Sequence, residues 1–258
     1  MRLRAAGIPA PQPLHLRLHV LVMEFVGEDG VAAPRLRDAG LPLTKMRECY
    51  TDMVLIVRKL YQECRLVHAD LSEYNILYHQ GQLVIIDVSQ AVDLDHPHAL
   101  VFLREDCQHV NDFFRRQGVA TLTVRELFEF AVDPAIHEGN LDAALDALME
   151  VAASRPVGSK EDLELSDRVF QQAYIPKRLD EVVNFERDIL RAQQAGGRAD
   201  EGQVFYQAIT GMRDDLQGPQ LMPRVLEDQT RRQEADVSGP AGSGKVRGNN
   251  WPSPKHQG

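Results

Sequence analysis

Long apolar runs, paired cysteines and an excess of positive charge are all missing from this sequence of 258 residues. Its apolar stretches, such as Val20-Leu21-Val22-Met23 and Leu83-Val84-Ile85-Ile86, are strand-sized and far short of the ~18 residues of a membrane-spanning helix. Met1-Arg2-Leu3-Arg4 leads into prolines rather than into the apolar core of a secretory leader. Three cysteines, Cys49, Cys64 and Cys107, are an odd number for a disulfide framework, and two of them sit in a helical repeat. A reducing compartment, the cytoplasm, is the expectation. With 29 Lys+Arg against 38 Asp+Glu the net charge is −9, which excludes coating nucleic acid by bulk charge. What remains is 43% apolar and 26% charged, the mix of a globular chain with one sizeable core and a tail.

Prolines 9, 11 and 13 forbid a helix or a central strand at the start. Leu14-His15-Leu16-Arg17-Leu18 alternates at period two, and His19 to Val26 is almost continuously apolar; together they predict two short strands, the second more buried than the first. Two strands with no third nearby read as an incomplete sheet. Between residues 43 and 64 the apolar positions Met46, Cys49, Tyr50, Met53, Val57, Leu60, Tyr61 and Cys64 follow three-and-four spacing, which predicts a long helix with one buried face. An irregular polar loop over 67–75 precedes a hairpin that pairs Ile76-Leu77-Tyr78 with residues 82–87. Helices then follow in succession. One opens with Pro97 at its first position and carries Leu100, Leu103, Cys107, Val110 and Phe114. Thr123 and Glu126 are spaced as a capping box, Asn140 can cap the next helix, and a further amphipathic run carries Leu179, Val182, Val183, Glu186 and Leu190. Residues 157–166 read as a loop or frayed helix, and the Gly- and Pro-rich residues 239–258 as a disordered tail.

The chemistry lies in Leu66-Val67-His68-Ala69-Asp70-Leu71-Ser72-Glu73-Tyr74-Asn75, followed by Ile85-Ile86-Asp87. An Asp with His two residues before it and Asn five after it fits the kinase catalytic loop, H-R-D-x-x-x-x-N. Phosphoryl transfer needs one carboxylate aimed at the attacking hydroxyl and hard oxygen ligands for Mg²⁺ beside the phosphates. A tight loop closed by a short hairpin can present Asp70 to the nucleophile and the Asn75 amide oxygen to the metal, with Asp87 as the charged ligand. The departures also inform. Asp87 is followed by Val88-Ser89-Gln90 rather than Phe-Gly, Ala69 stands for the usual Arg, and about nine residues separate Asp87 from Pro97, too few for an activation loop.

His68-Ala69-Asp70-Leu71-Ser72-Glu73-Tyr74-Asn75, Ile86-Asp87-Val88-Ser89-Gln90 and His96-Pro97-His98-Ala99-Leu100 resemble the RIO family of atypical serine/threonine protein kinases. Ala173-Tyr174-Ile175-Pro176, through Asn184-Phe185-Glu186-Arg187-Asp188, is similar to the first-described RIO subfamily, and the likeness runs from about Gly7 to about Leu226. The resemblance implies an α+β, protein-kinase-like carboxyl-terminal helical lobe with its hinge and a remnant of the small-lobe sheet. Residues 1–26 would be that remnant and hinge, 27–195 the helical lobe, 196–238 an extension and 239–258 the tail. It implies an Mg²⁺- and ATP-dependent kinase or ATPase of small-ribosomal-subunit maturation that acts on pre-40S particles. Asp70 and Asp87 would be catalytic, Asp70 as proton acceptor and Asp87 also as a transient aspartyl-phosphate. Asn75 and Asp87 would hold the metal, and the backbone groups of Glu24 and Val26 in Met23-Glu24-Phe25-Val26-Gly27 would bond adenine.

A Gly-rich phosphate loop, a strand lysine in a V-A-I-K-like setting and its glutamate partner are not in the sequence, and Lys45 and Lys59 fall on the long helix where neither can substitute. The chain therefore reads as a truncated product, with weak nucleotide binding expected. The competing expectation is a non-catalytic module that binds pre-ribosomal or regulatory protein partners. Blander readings also stand. His68 reads as a buried buttress. His96, His98, Cys107 and His109 lack structural-zinc spacing. Gly239 to Lys245 imitates a phosphate loop, but Val246 stands where a hydroxyl would bind Mg²⁺ and no buried strand precedes it. Arg115-Arg116, Lys177-Arg178 and Arg231-Arg232 read as solvated cations, and Trp251 falls in the tail.

Overall fold

The computed structural model describes residues 1–155, 160–173, 175–176, 207–213 and 218–237. Its elements run α1 (Arg2–Ala5), β1 (Pro13–Arg17), β2 (Val20–Met23), β3 (Gly27–Glu28), β4 (Val31–Ala32), a 3-10 turn (Leu36–Asp38), α2 (Leu43–Gln62), β5 (Leu66–Val67), β6 (Ile76–His79), β7 (Gln82–Ile85), β8 (Val92–Asp93), α3 (Ala99–Arg116), α4 (Val124–Val132), α5 (Leu141–Ser154) and α6 (Lys160–Gln172), with helices Gln207–Thr210 and Arg224–Val237 following. The strands form four separate antiparallel pairs, β1–β2, β3–β4, β5–β8 and β6–β7, not one sheet.

The periodic residues of α2 are buried as their spacing predicts: Met46, Cys49, Tyr50, Met53, Val57, Leu60 and, just past its end, Cys64 lie in one core cluster with α3 and α4. Two polar side chains make this core specific. The Tyr50 hydroxyl donates to Asn111 Oδ1 at 2.8 Å and accepts the Leu122 N–H at 2.9 Å, so neither buried group is stranded. Arg58 reaches from α2 to the carbonyls of Phe130, Asp133 and Ile136, closing the carboxyl end of α4. The capping box holds: Thr123 Oγ1 accepts the Glu126 N–H and Glu126 returns to the Thr123 N–H.

Several expectations are corrected. α3 begins at Ala99 after His98, so Pro97 lies in the approach turn rather than at a first helical position. Asn140 precedes α5 but its side chain bonds His137 N–H and Ala135 carbonyl, tying the turn instead of capping the helix. Residues 157–166 read as a loop or frayed helix, but the chain from Lys160 to Gln172 is helical, with Phe170 buried against Phe128. The second strand is less exposed than the first but not buried: Val20 to Met23 are 44–52% exposed and Leu14 and Leu16 are 62% and 71% exposed. The amphipathic run at 179–190, the pair Lys177-Arg178, and the tail with its phosphate-loop imitation and Trp251 lie outside the described residues.

Candidate functional site

β5 leads directly into the loop that carries the motif, and its pairing with β8 fixes where that loop leaves the body. Val67 and His68 are buried, each 1% exposed. Ala69 then takes a left-handed conformation, φ +64°, which costs an L-residue of this kind on the order of 1 kcal/mol. It is held there because its N–H is bonded to Asp106 Oδ2 at 2.9 Å, while Asp106 Oδ1 takes the Leu71 N–H, also at 2.9 Å. Asp106 stands on the buried face of α3 and is 2% exposed; burial pushes its carboxyl up to about 7, against the pull of the two amides. The two bonds clamp the backbone on either side of Asp70, whose own side chain is left half-buried at the loop's outer face. Sequence reasoning missed Asp106. Its only signal is one acid inside the apolar stripe Leu103, Cys107, Val110.

Asp70 and Asn75 are brought into contact. The Asn75 amide donates to Asp70 Oδ2 at 2.8 Å and to the Asp70 carbonyl at 2.9 Å, and the Asn75 carbonyl takes the Ile86 N–H at 2.9 Å. That last bond ties the loop to the end of the β6–β7 hairpin, one residue before Asp87. Asp87 is exposed and left-handed, φ +56°. Its Oδ1 accepts the Ser89 hydroxyl at 2.7 Å, with the Ser89 N–H at 3.4 Å, and these bonds hold its carboxyl below the usual carboxylate range. His68 lies behind both acids. Burial pushes its imidazole down, whereas the Ile86 backbone and the charges of Asp70 and Asp87 favour the charged ring. Neither ring nitrogen has a hydrogen-bond partner of acceptable geometry, which agrees with a neutral, buttressing histidine.

On the opposite side, the Glu24 N–H goes to the Gln12 carbonyl at 2.8 Å and the Val26 carbonyl takes the Ala33 N–H at 3.0 Å. Of the backbone groups expected to meet adenine, these bonds engage the Glu24 N–H and the Val26 carbonyl. The Glu24 carboxylate is occupied by the Gln12 N–H at 3.1 Å and Arg4 at 3.4 Å. Beside the loop, the Arg37 guanidinium lies 5.0 Å from the Tyr74 ring centroid and bonds its hydroxyl, and Arg116 pairs with Glu73 at 3.1 Å. Lys45 is engaged by Glu48 at 2.5 Å on the helix surface. His96 stacks on Phe102 and His98 meets it edge-on, while Cys107 is fully buried; among the described residues no group of three or more His, Cys, Asp or Glu side chains could hold a metal.

An Mg²⁺ site must therefore be shared with a nucleotide if one forms. The residues present fit that requirement: Mg²⁺ is commonly held by one or two protein oxygens together with substrate phosphates and water, not by an all-protein cage. The Asp87 carboxylate is ionised and exposed, with Ser89 on one oxygen only, and the Asn75 amide nitrogen is bonded to Asp70, so its amide oxygen is the group it would offer to a cation.

Residues 1–127 match the RIO domain. The chain is 47% identical over 249 residues to human serine/threonine-protein kinase RIO1, a match that covers 94% of this chain and 44% of that protein. It is 46% identical over 234 residues to rio1 of Dictyostelium discoideum, covering 91% of this chain and 40% of that one. Among solved structures it is similar to the Rio2 kinase of Chaetomium thermophilum in its ADP/Mg²⁺-phosphoaspartate complex, at 25% identity and a TM-score of 0.41, over 66% of this chain and 51% of that one. The chain spans less than half the length of the two curated relatives. With the RIO domain matched across the loop from His68 to Asp87, residues 1–127 belong to the RIO family of serine/threonine protein kinases, on an α+β, protein-kinase-like architecture.

Proposed function

We propose that the chain transfers the γ-phosphate of ATP as a RIO-type serine/threonine kinase or ATPase, in cytoplasmic maturation of the small ribosomal subunit. The observation that carries this reading is the Asp70–Asn75 contact on a loop clamped at both flanks by Asp106. Catalysis of phosphoryl transfer consists largely of positioning and charge stabilisation, so a rigid loop with one half-exposed carboxylate is the feature it requires. Glu24 and Val26 would bond adenine through their backbone. Asn75 and Asp87 would hold Mg²⁺, which supplies charge neutralisation on the β- and γ-phosphate oxygens.

Two routes use the same residues. In one, Asp70 accepts the proton of an attacking serine, threonine or water hydroxyl as its oxygen bonds to the γ-phosphorus and ADP leaves. In the other, an Asp87 carboxylate oxygen attacks the γ-phosphorus directly. Being ionised, it has no proton to lose; the bond to ADP breaks, and water that gives a proton to Asp70 then attacks the acyl phosphate, releasing inorganic phosphate and restoring the carboxylate.

The test is incubation with Mg²⁺ and γ-labelled ATP. A competent chain acquires a hydroxylamine-labile label that Asp87→Asn abolishes and that Asp70→Asn retains for longer. No label, together with no heat of Mg²⁺-ATP binding in calorimetry, would refute the proposal. It would favour the non-catalytic module, for which the exposed apolar side chains of β1 and β2 speak.

A further inference from the structure

Asp87 is anchored through the backbone before it and through its own side chain after it. On the near side the Ile86 N–H bonds the Asn75 carbonyl at 2.9 Å, and Asp87 itself is left-handed, φ +56°. On the far side the Ala91 N–H bonds the Val88 carbonyl at 3.2 Å, closing a turn that carries Ser89. The Ser89 hydroxyl donates to Asp87 Oδ1 at 2.7 Å, and the Ser89 N–H adds a longer contact of 3.4 Å to the same oxygen. Among the described residues no donor bonds Oδ2. This asymmetry matters because the last torsion of an aspartate is broad and nearly two-fold, so an exposed carboxylate without a partner offers either oxygen. Asp87 is exposed, and packing does not set that torsion; the hydroxyl does.

We infer that Ser89 is a positioning residue, whose hydroxyl holds Asp87 Oδ1 and so leaves Oδ2 as the oxygen presented to the Mg²⁺ of Mg²⁺-ATP. This rests on the reading of Asp87 as a ligand of that ion, proposed above, and adds the group that prepares it. The two interactions are compatible. Oδ1 accepts one proton while Oδ2 gives its electron pairs to the cation, so the hydrogen bond need not break when the ion arrives. A free carboxylate would have to stop turning at the moment of binding, an ordering cost that the hydroxyl removes beforehand. Partners that hold a metal's ligand in this way change affinity by about 10–100-fold when they are removed. The sequence shows Ser89 as an ordinary turn residue; its contact with Asp87 is what singles it out.

The test measures ATP binding rather than turnover. Equilibrium dialysis of the full chain against labelled ATP is run with excess Mg²⁺ and again with EDTA. Mg²⁺ should tighten binding to the parent chain, and Asp87→Asn should abolish that effect. Ser89→Ala should remove about tenfold of it while leaving the EDTA value within about twofold. A loosened turn would weaken both values alike, so the difference between them reports on the carboxylate alone. Ser89→Thr keeps the hydroxyl and should recover most of the effect. Ser89 is exposed and outside the core, so circular dichroism of both variants should match the parent. If Mg²⁺ tightens binding to Ser89→Ala as much as to the parent, or if Ser89→Thr loses as much as Ser89→Ala, the inference alone is overturned and Asp87 stands as the ligand. If Mg²⁺ has no effect on the parent, or an equal effect on Asp87→Asn, the reading of Asp87 as a ligand fails and the inference fails with it.

Discussion

Replacing Asp106 by Asn separates the two things this buried acid does. As an acid it is costly: burial raises its carboxyl from 3.8 to about 7, and each pKa unit corresponds to ~1.4 kcal/mol. Because the folded value is the higher one, the native state binds the proton more tightly than the unfolded chain. The stabilisation is complete below pH 3.8 and is lost as pH rises through about 7, a decline of about 4 kcal/mol. As an acceptor it is needed, because both carboxylate oxygens take a buried backbone N–H, from Ala69 and from Leu71. Asn has a single carbonyl and would turn its amide towards one of those donors, at a cost of about 1–3 kcal/mol. The two effects oppose each other with different pH dependence. Asp106→Asn is expected to be less stable than the parent at pH 4 by about 1–3 kcal/mol and more stable at pH 8 by a similar amount. Urea unfolding of both chains at unit pH intervals measures this, since all other titrations cancel in the difference. Two parallel stability curves, with no change of sign, would refute the assignment of Asp106 as a desolvated carboxylate. The gain at pH 8 should come with loosening of the loop, seen as faster amide exchange at Ala69 and Leu71.

Tyr50→Phe strands the Leu122 N–H and the Asn111 side chain in the core and should lower stability by about 2–4 kcal/mol, read from the urea midpoint at unchanged slope. Arg58→Met leaves the carbonyls of Phe130, Asp133 and Ile136 without their cation and should cost about 3 kcal/mol or more; Arg58→Lys should recover only part, because a single ammonium cannot span them. Thr123→Ala removes the cap of α4 and should cost about 1 kcal/mol in thermal unfolding. His68 has a folded value below 6.5, so the unfolded chain protonates first and stability is lost as pH falls through 6.5 towards that lower value; a parent-minus-His68→Leu comparison should show this slope, and a flat difference would count against a neutral buried ring.

Long-range order along the chain was legible wherever a local pattern repeats. The three-and-four spacing of Met46, Cys49, Tyr50, Met53, Val57 and Leu60 describes α2 almost to its ends, and Thr123 with Glu126 marks the start of α4. The His68–Asp87 stretch was legible because its residue types are few and their spacing fixed. Elements held by distant partners were not. α1 is one turn whose Leu3 is buried in a core made by later residues, and β5 exists through its pairing with β8, some 25 residues on. The helix at Lys160–Gln172 begins with Lys-Glu-Asp, and among its described side chains Phe170 is the large apolar one that is buried, so the apolar signal is thin. Asp106 was hidden for the opposite reason. A pattern reading registers Leu103, Cys107 and Val110 as a buried stripe and passes over the acid among them, though a buried carboxylate survives only where donors await it.

The polar residues of α3 explain why the loop can hold its geometry independently of the β1–β2 ribbon. Asp106 holds Ala69 and Leu71; Asn111 donates to the Leu122 carbonyl; Arg104 takes the carbonyls of Phe170 and Ala173; and Arg115 pairs with Asp167, whose other oxygen accepts the Val124 N–H. One helix therefore satisfies backbone groups in the catalytic-type loop, in the approach to α4 and at the end of α6. Each such bond is worth about 1 kcal/mol net, but leaving its buried partner unmade costs more, so the segments are fixed relative to α3 and through it to one another. None of these bonds involves residues 13–23. The segment proposed to bond adenine, at Glu24 and Val26, is tied instead to Gln12, Arg4 and Ala33. Changes in the ribbon should thus shift nucleotide affinity through the Glu24 and Val26 backbone while Asp70, Asn75 and Asp106 keep their contacts, an affinity effect without loss of the loop's order.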